Sequence, residues 1–136
     1  MIYALDTNII SFLLRPTKNS DVVAQFERAI ELGEGYAIPP QCYFEIKWHL
    51  LWKDAPVQMD VFEGLYRNAS VNNNMGEAEL DRAARIKADL LIKGTPIGDA
   101  DIFIAAYCLV NNYVLVTDNT GDFARIDGLK YVNWKK

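Results

Sequence analysis

Two short apolar runs, Ile2-Tyr3-Ala4-Leu5 and Tyr113-Val114-Leu115-Val116-Thr117, each finish in an aspartate, Asp6 and Asp118. Short, mostly apolar runs bounded by polar residues suit strands buried on both faces, as in a parallel sheet. Ligands in open α/β folds collect outside the carboxyl ends of such strands. Carboxylates at two strand ends therefore predict a site for a hard divalent cation, Mg2+ or Mn2+, and a metal-dependent hydrolase as the leading class.

The rest of the chain alternates accordingly. The sequence predicts a short helix from Asn8 to Leu14 stopped by Pro16, then a helix capped within Asn19-Ser20-Asp21 and running to Leu32. Gly33 and Gly35 lead to a strand at Tyr36-Ala37-Ile38, ended by Pro39-Pro40. Gln41 to Trp52 is apolar nearly all round and is expected to be substantially buried. An amphipathic helix at 57–67 precedes a weak strand at Ala69-Ser70-Val71 and a polar turn at Asn72-Asn73-Asn74. Gly76 to Lys93 is the clearest helix, with Leu80, Ala83, Ala84, Lys87, Leu90 and Leu91 on its inner stripe. Asp99 to Asn112 is helical again, followed by strand 113–117, loop 118–128 and a last strand from Lys130 to Trp134. Strands alternating with helices predict a parallel sheet covered on both faces.

At 136 residues the chain is expected to form one domain over 1–136. It contains no apolar run near the ~20 residues that span a bilayer, and no leader-like N-terminus, so a cytoplasmic protein is expected. Cys42 and Cys108 lie inside apolar helical patterns and are expected to be buried thiols. His49 stands two helical turns from Cys42, about 10 Å away, too far for a nucleophilic dyad. A net charge of −4 opposes bulk attraction to nucleic acid. A carboxylate site that takes up metal removes part of that objection. Basic residues also gather locally: Arg15 and Lys18, Lys47 and Lys53, Arg82, Arg85 and Lys87, and Arg125, Lys130, Lys135 and Lys136. Contact with a few phosphates is expected, not the coating of a duplex.

The acids differ in context. Asp99 and Asp101 open a helix; Asp99 has the ordinary explanation of a cap. Asp101 shares a face with Ala105, and small residues there let the helix lie close to the sheet and hold the carboxylate over the strand ends. Glu45, between Phe44 and Ile46, needs a cation, a metal or strong donors; a salt bridge to Lys47 is the plain alternative. Asp118 and Asp122 sit in Thr117-Asp118-Asn119-Thr120-Gly121-Asp122, where an Asx-type turn is the plain alternative. Thr7, Asn8, Thr117 and Asn119 can orient the carboxylates. The remaining glutamates, Glu79 among them, are expected on solvated faces, as are Asp81 and Asp89.

Taken in order, Leu5-Asp6-Thr7-Asn8, Asp99-Ala100-Asp101-Ile102-Phe103-Ile104-Ala105-Ala106 and Val116-Thr117-Asp118-Asn119-Thr120-Gly121-Asp122-Phe123 resemble the PIN-domain ribonucleases, specifically the VapC-type toxins of prokaryotic toxin–antitoxin pairs. The resemblance spans the whole chain. It implies a PIN-like three-layer α/β/α fold with a central parallel sheet, and metal ligands Asp6 and Asp101 completed by Glu45 and the loop acids. Of these last, Asp118 is taken as a direct or water-mediated ligand and Asp122 as its partner. Glu45-Ile46-Lys47-Trp48 departs from the family's usual Glu-Leu context. The resemblance further implies an RNA substrate hydrolysed by a metal-activated water, a homodimer and a cognate antitoxin, for which Trp48, Leu51 and Trp52 offer either a docking surface or core packing.

Two rivals are set against this reading. A phosphotransferase with Asp6 as nucleophile needs Asp-x-Asp after the first strand, and Asn8 fills the second place. A non-catalytic PIN-like module that binds RNA or protein would not need every acidic position.

Overall fold

The computed structural model describes residues 1–15, 20–70 and 74–135. The predicted stop at Pro16, the cap residue Asn19, Val71 and the turn residues Asn72 and Asn73 lie outside them. Four strands, β1 (Ile2–Leu5), β2 (Gly35–Ala37), β3 (Val114–Val116) and β4 (Tyr131–Val132), form one sheet in the order β2-β1-β3-β4. All pairings are parallel, with Leu5 opposite Val116 and Ala4 opposite Ala37. Around the sheet lie α1 (Thr7–Leu14), α2 (Ser20–Glu31), α3 (Pro40–Lys53), α4 (Pro56–Arg67), α5 (Glu77–Ile92), α6 (Asp99–Asn111) and α7 (Thr120–Phe123). This is the expected three-layer α/β/α arrangement. The chain leaves β1 towards β2 on one side and returns to β3 on the other, so a switch point opens between β1 and β3.

Local chemistry sets the boundaries. Asp6 is extended and its side chain accepts from the Thr7 N–H, capping α1 directly after β1. Pro40 starts α3, where its missing N–H costs nothing. Asp54 and Asn112 take the left-handed conformation that closes α3 and α6. The core runs through the sheet: Ala4, Leu5, Leu115 and Val116 are fully enclosed, as are Ile9, Phe62, Ala105 and Phe123.

Several boundaries and faces differ from the sequence expectation. Ala69-Ser70 is no strand; Ser70 instead serves β2, donating its N–H to the Tyr36 carbonyl at 2.9 Å while its Oγ accepts from the Tyr36 N–H at 3.1 Å. The loop after β3 contains α7, and β4 is shorter than predicted. On α5 only Ala83 and Leu90 are buried, while Leu80 and Leu91 are exposed, because its main contact is a seam with α6.

The largest departure is α3. Only Cys42, Ile46 and Leu50 are buried, while Phe44, Trp48, Leu51 and Trp52 are 61%, 46%, 65% and 75% exposed. Its neighbours α1, α4 and α6 leave an outer face uncovered. Core packing is therefore not the role of Trp48, Leu51 and Trp52. Glu79 also departs from expectation: its Oε2 is buried with no hydrogen-bond partner among the described residues.

Gly35 is fixed by the Ser70 contact. A Cβ there would come within 2.7 Å of Ser70 Cβ and closer still to its Oγ. Gly35→Ala is expected to cost about 1–3 kcal/mol through overpacking, measured by urea denaturation. Unchanged stability would mean that Ser70 does not hold β2 in this way.

Candidate active site

Parallel pairing of β1 with β3 carries Asp6 and Thr117 to neighbouring positions. Asp6 N–H donates to the Val116 carbonyl and Thr117 N–H to the Val132 carbonyl, both at 3.0 Å, so both residues are held by backbone as the strands end. Asp6 is buried and Thr117 fully so. Thr117 Oγ1 donates to Asp6 Oδ2 at 2.7 Å, and the Thr7 N–H donates to Asp6 Oδ1 at 2.8 Å. These donors favour the charged carboxylate, but burial dominates and raises the Asp6 pKa, with Asp118 and Glu45 adding to the rise.

Glu45 comes from α3. Its Oε2 accepts from Thr7 Oγ1 at 3.4 Å and its Oε1 from Gln41 Nε2 at 3.2 Å. The alternative partner Lys47 binds Glu63 at 2.8 Å instead. Asp101 enters from the first turn of α6, the helix that buries Ala105 against the core. Its carboxyl is pushed up to about 6, first by burial and then by Asp6, Asp122 and Glu45. Asn119 Nδ2 lies 3.3 Å from both Asp101 Oδ2 and Asp122 Oδ2, bridging the two acids. Asp118 faces the other way, accepting from Asn8 Nδ2 at 3.3 Å with Lys135 Nζ 3.7 Å away.

The structure thus brings Asp6, Glu45, Asp101, Asp118 and Asp122 to one crevice, with Thr7, Asn8, Thr117 and Asn119 as their hydrogen-bonding frame. Asp99 stands apart. Gly98 takes the cap position, without a side-chain cap, and Asp99 pairs with Lys87 at 2.8 Å on the surface. Gln41 and Lys135 are additions that sequence reasoning missed. Gln41 was signalled only by its one-turn spacing from Glu45; nothing local ties Lys135 to Asp118.

Cys42 lies behind Asp6, its Sγ 3.9 Å from Asp6 Oδ1. Full burial, then the Asp6 charge, pushes this thiol well up, so it stays protonated. His49 is exposed beside Trp48 and Trp52. A mostly apolar cavity of about 490 Å³, lined by Leu13, Val23, Phe26, Ile30, Tyr36 and Leu65, contains none of the crevice acids.

The donor set is all oxygen, desolvated and mutually repelling, which suits a hard divalent cation. Among the described residues no three acidic, His or Cys side chains stand close enough together to enclose one.

The family model described as "PIN domain" matches residues 3–129. This chain belongs to the PIN domain family. It is 39% identical over 144 residues to Ribonuclease VapC2 of Rickettsia felis, with 100% of each chain covered. It is 28% identical over 134 residues to the tRNA(fMet)-specific endonuclease VapC of Shigella flexneri, covering 97% of each. Among solved structures, DNA-bound VapBC from Salmonella typhimurium superposes with a TM-score of 0.85 at 25% identity, covering 98% of each chain. The PIN fold is thus shared over nearly the whole chain.

In this PIN domain the folded state holds a proton on Asp101 that the unfolded chain releases between its ordinary 3.8 and about 6. Stability of the metal-free protein therefore falls as pH rises through that window, and the raised Asp6 acts in the same direction. Asp101→Asn is expected to stabilise the metal-free protein at pH 7 by about 1–2 kcal/mol, allowing for solvent screening, and to gain nothing near pH 4. Urea melts in chelator at both pH values measure this; an equal effect at the two would contradict the electrostatic account.

Proposed function

We propose that this chain is a divalent-metal-dependent endoribonuclease, a single PIN domain acting as the toxin of a type II toxin–antitoxin pair. The observation that carries the reading is the crevice at the β1–β3 switch point, where Asp6, Glu45, Asp101, Asp118 and Asp122 come together on a frame of hydroxyl and amide donors. Relatives named as ribonuclease and tRNA endonuclease support RNA as the substrate class.

Asp6, Glu45, Asp101 and Asp122 would hold the cation, Mg2+ or Mn2+. Asp122 is preferred to Asp118 as a ligand because Asn119 ties it to Asp101, whereas Asn8 holds Asp118; each has a cation nearby, Arg125 at 3.8 Å and Lys135 at 3.7 Å. A divalent cation bound there supplies charge neutralisation, polarises a phosphodiester and makes water a stronger nucleophile. The protein's own contribution is orientation. Thr117 and the Thr7 N–H fix both oxygens of Asp6, Thr7 Oγ1 and Gln41 hold Glu45, and Asn119 spaces Asp101 from Asp122. The products would carry a 5′-phosphate and a 3′-hydroxyl. A protonated thiol at Cys42 and a surface His49 leave neither a thiolate nor an imidazole to act in the crevice.

The VapBC neighbour supports a cognate antitoxin as partner. The open stripe of Phe44, Trp48, Leu51 and Trp52 supplies apolar surface for that partner or for a second copy in a homodimer. No helix among the described residues is long and apolar enough to cross a membrane, in keeping with the cytoplasm as its site of action.

Purified, antitoxin-free protein is expected to bind Mg2+ or Mn2+ and to cleave RNA only with metal present. Asp101→Ala and Asp6→Asn should each lower cleavage by about a hundredfold or more, with Asp118→Asn milder than Asp122→Asn. Retained RNA binding in Asp6→Asn with full cleavage would favour a different centre. Binding without any metal-dependent cleavage in the unaltered protein would favour the non-catalytic module.

A further inference from the structure

A second feature leads away from the acids along α1 and α3. Thr7 and Glu45, which touch at the crevice, each begin a series with four-residue spacing: Thr7, Ser11 and Arg15 on one side, Glu45, His49 and Lys53 on the other. Residues four apart share a helix face. The outer members of both series, Ser11, Arg15, His49 and Lys53, line one groove of about 260 Å³ between the helices. At roughly 1.5 Å per residue, Arg15 lies about 12 Å beyond Thr7 along this line. That span is a few nucleotides of a single strand, at about 3.4 Å for each stacked nucleotide.

Several surface cations are matched to carboxylates, but Arg15 and Lys53, like Arg28, Arg82 and Lys130, have no such partner among the described residues. Lys47, Arg85, Lys87 and Lys93 are matched to Glu63, Asp81, Asp99 and Asp89 at 2.8–3.0 Å. Arg15 is stacked on the Phe12 ring at 4.3 Å, which fixes its guanidinium while leaving its N–H groups available. Arg15 and Lys53 are both exposed. Two cations without a carboxylate partner among the described residues line this one groove, in a protein of net charge −4, and form a local anion site on the helix faces that begin at Thr7 and Glu45. Ser11 and His49 between them add polar groups of the kind that contact phosphate and base.

We propose that the α1–α3 groove is the track for the RNA strand flanking the cleaved bond, with Arg15 and Lys53 as phosphate-positioning residues. This rests on the ribonuclease reading and specifies how an acidic protein holds its substrate. The chemistry favours single-stranded RNA because the two cations follow Thr7 and Glu45 along adjacent helix faces, a spacing of a few nucleotides of one strand.

The test is the double variant Arg15→Gln/Lys53→Gln, with Arg82→Gln, on a separate surface, as control. A fluorescent single-stranded RNA reports kcat and KM with Mg2+; its anisotropy in an Asp101→Asn background reports affinity from 50 to 300 mM salt. The double variant should raise KM about tenfold at 0.15 M salt, leave kcat within about twofold, and flatten the log–log salt dependence of binding by about 1.4. Arg15→Lys/Lys53→Arg should restore both, and Arg82→Gln should change neither. A double variant with unaltered KM and salt slope, in a protein that cleaves RNA, overturns the track and leaves the nuclease standing. An equal loss in kcat without a change in slope assigns Arg15 and Lys53 to structure and also overturns it. If the unaltered protein neither binds nor cleaves RNA, the ribonuclease reading falls and the track with it.

Discussion

The register that sets Leu5 opposite Val116 determines most of what this molecule can do. It places the two residues that follow, Asp6 and Thr117, side by side where the strands run out. A hydroxyl from one chain segment then meets a carboxylate from another at 2.7 Å, inside the protein. A shift of one residue would point Asp6 to the opposite face of the sheet. The same carboxylate caps α1 through the adjacent Thr7 N–H. Strand pairing, helix initiation and site geometry thus meet at one residue.

Electrostatics then divides the molecule into two regimes. Over most of the surface, cations and carboxylates are matched in exposed pairs, which contribute little stability but leave little net field. In the crevice the matching is withheld from Asp6, Glu45 and Asp101, whose partners are hydroxyls, amides and one another. The arrangement costs stability when empty, as the raised Asp101 carboxyl records. Unmatched acids of this kind are what the proposed cation would neutralise.

Much of this was legible in the sequence. Periodicity found the strands and helices, because runs such as Ile2–Leu5 and Val114–Val116 are apolar throughout and the glycines and prolines between elements are unambiguous. The crevice acids were legible for the same reason: Asp6 and Asp118 end strands, and Asp101 starts a helix with small residues one turn on. Where sequence reasoning failed, the missing information was tertiary. The apolar ring of α3 cannot reveal that its neighbours cover only one stripe, so Trp48, Leu51 and Trp52 emerge exposed. Asp99 and Asp101 differ only by which partner lies across from each; Lys87 on α5 decides for Asp99. α7 is a single turn stabilised by Phe123 packing inward, below the length that a helical pattern can announce.

The Asp6–Thr117 pair also orders events in time. The two residues are 111 positions apart, so the first strand must wait for nearly the whole chain before its carboxylate acquires its partner. A nascent chain still holding β3 inside the ribosome has Asp6 and Glu45 but neither Thr117 nor the Asn119 bridge to Asp101. A centre assembled this way is incomplete until β3 and the residues that follow it have emerged and docked.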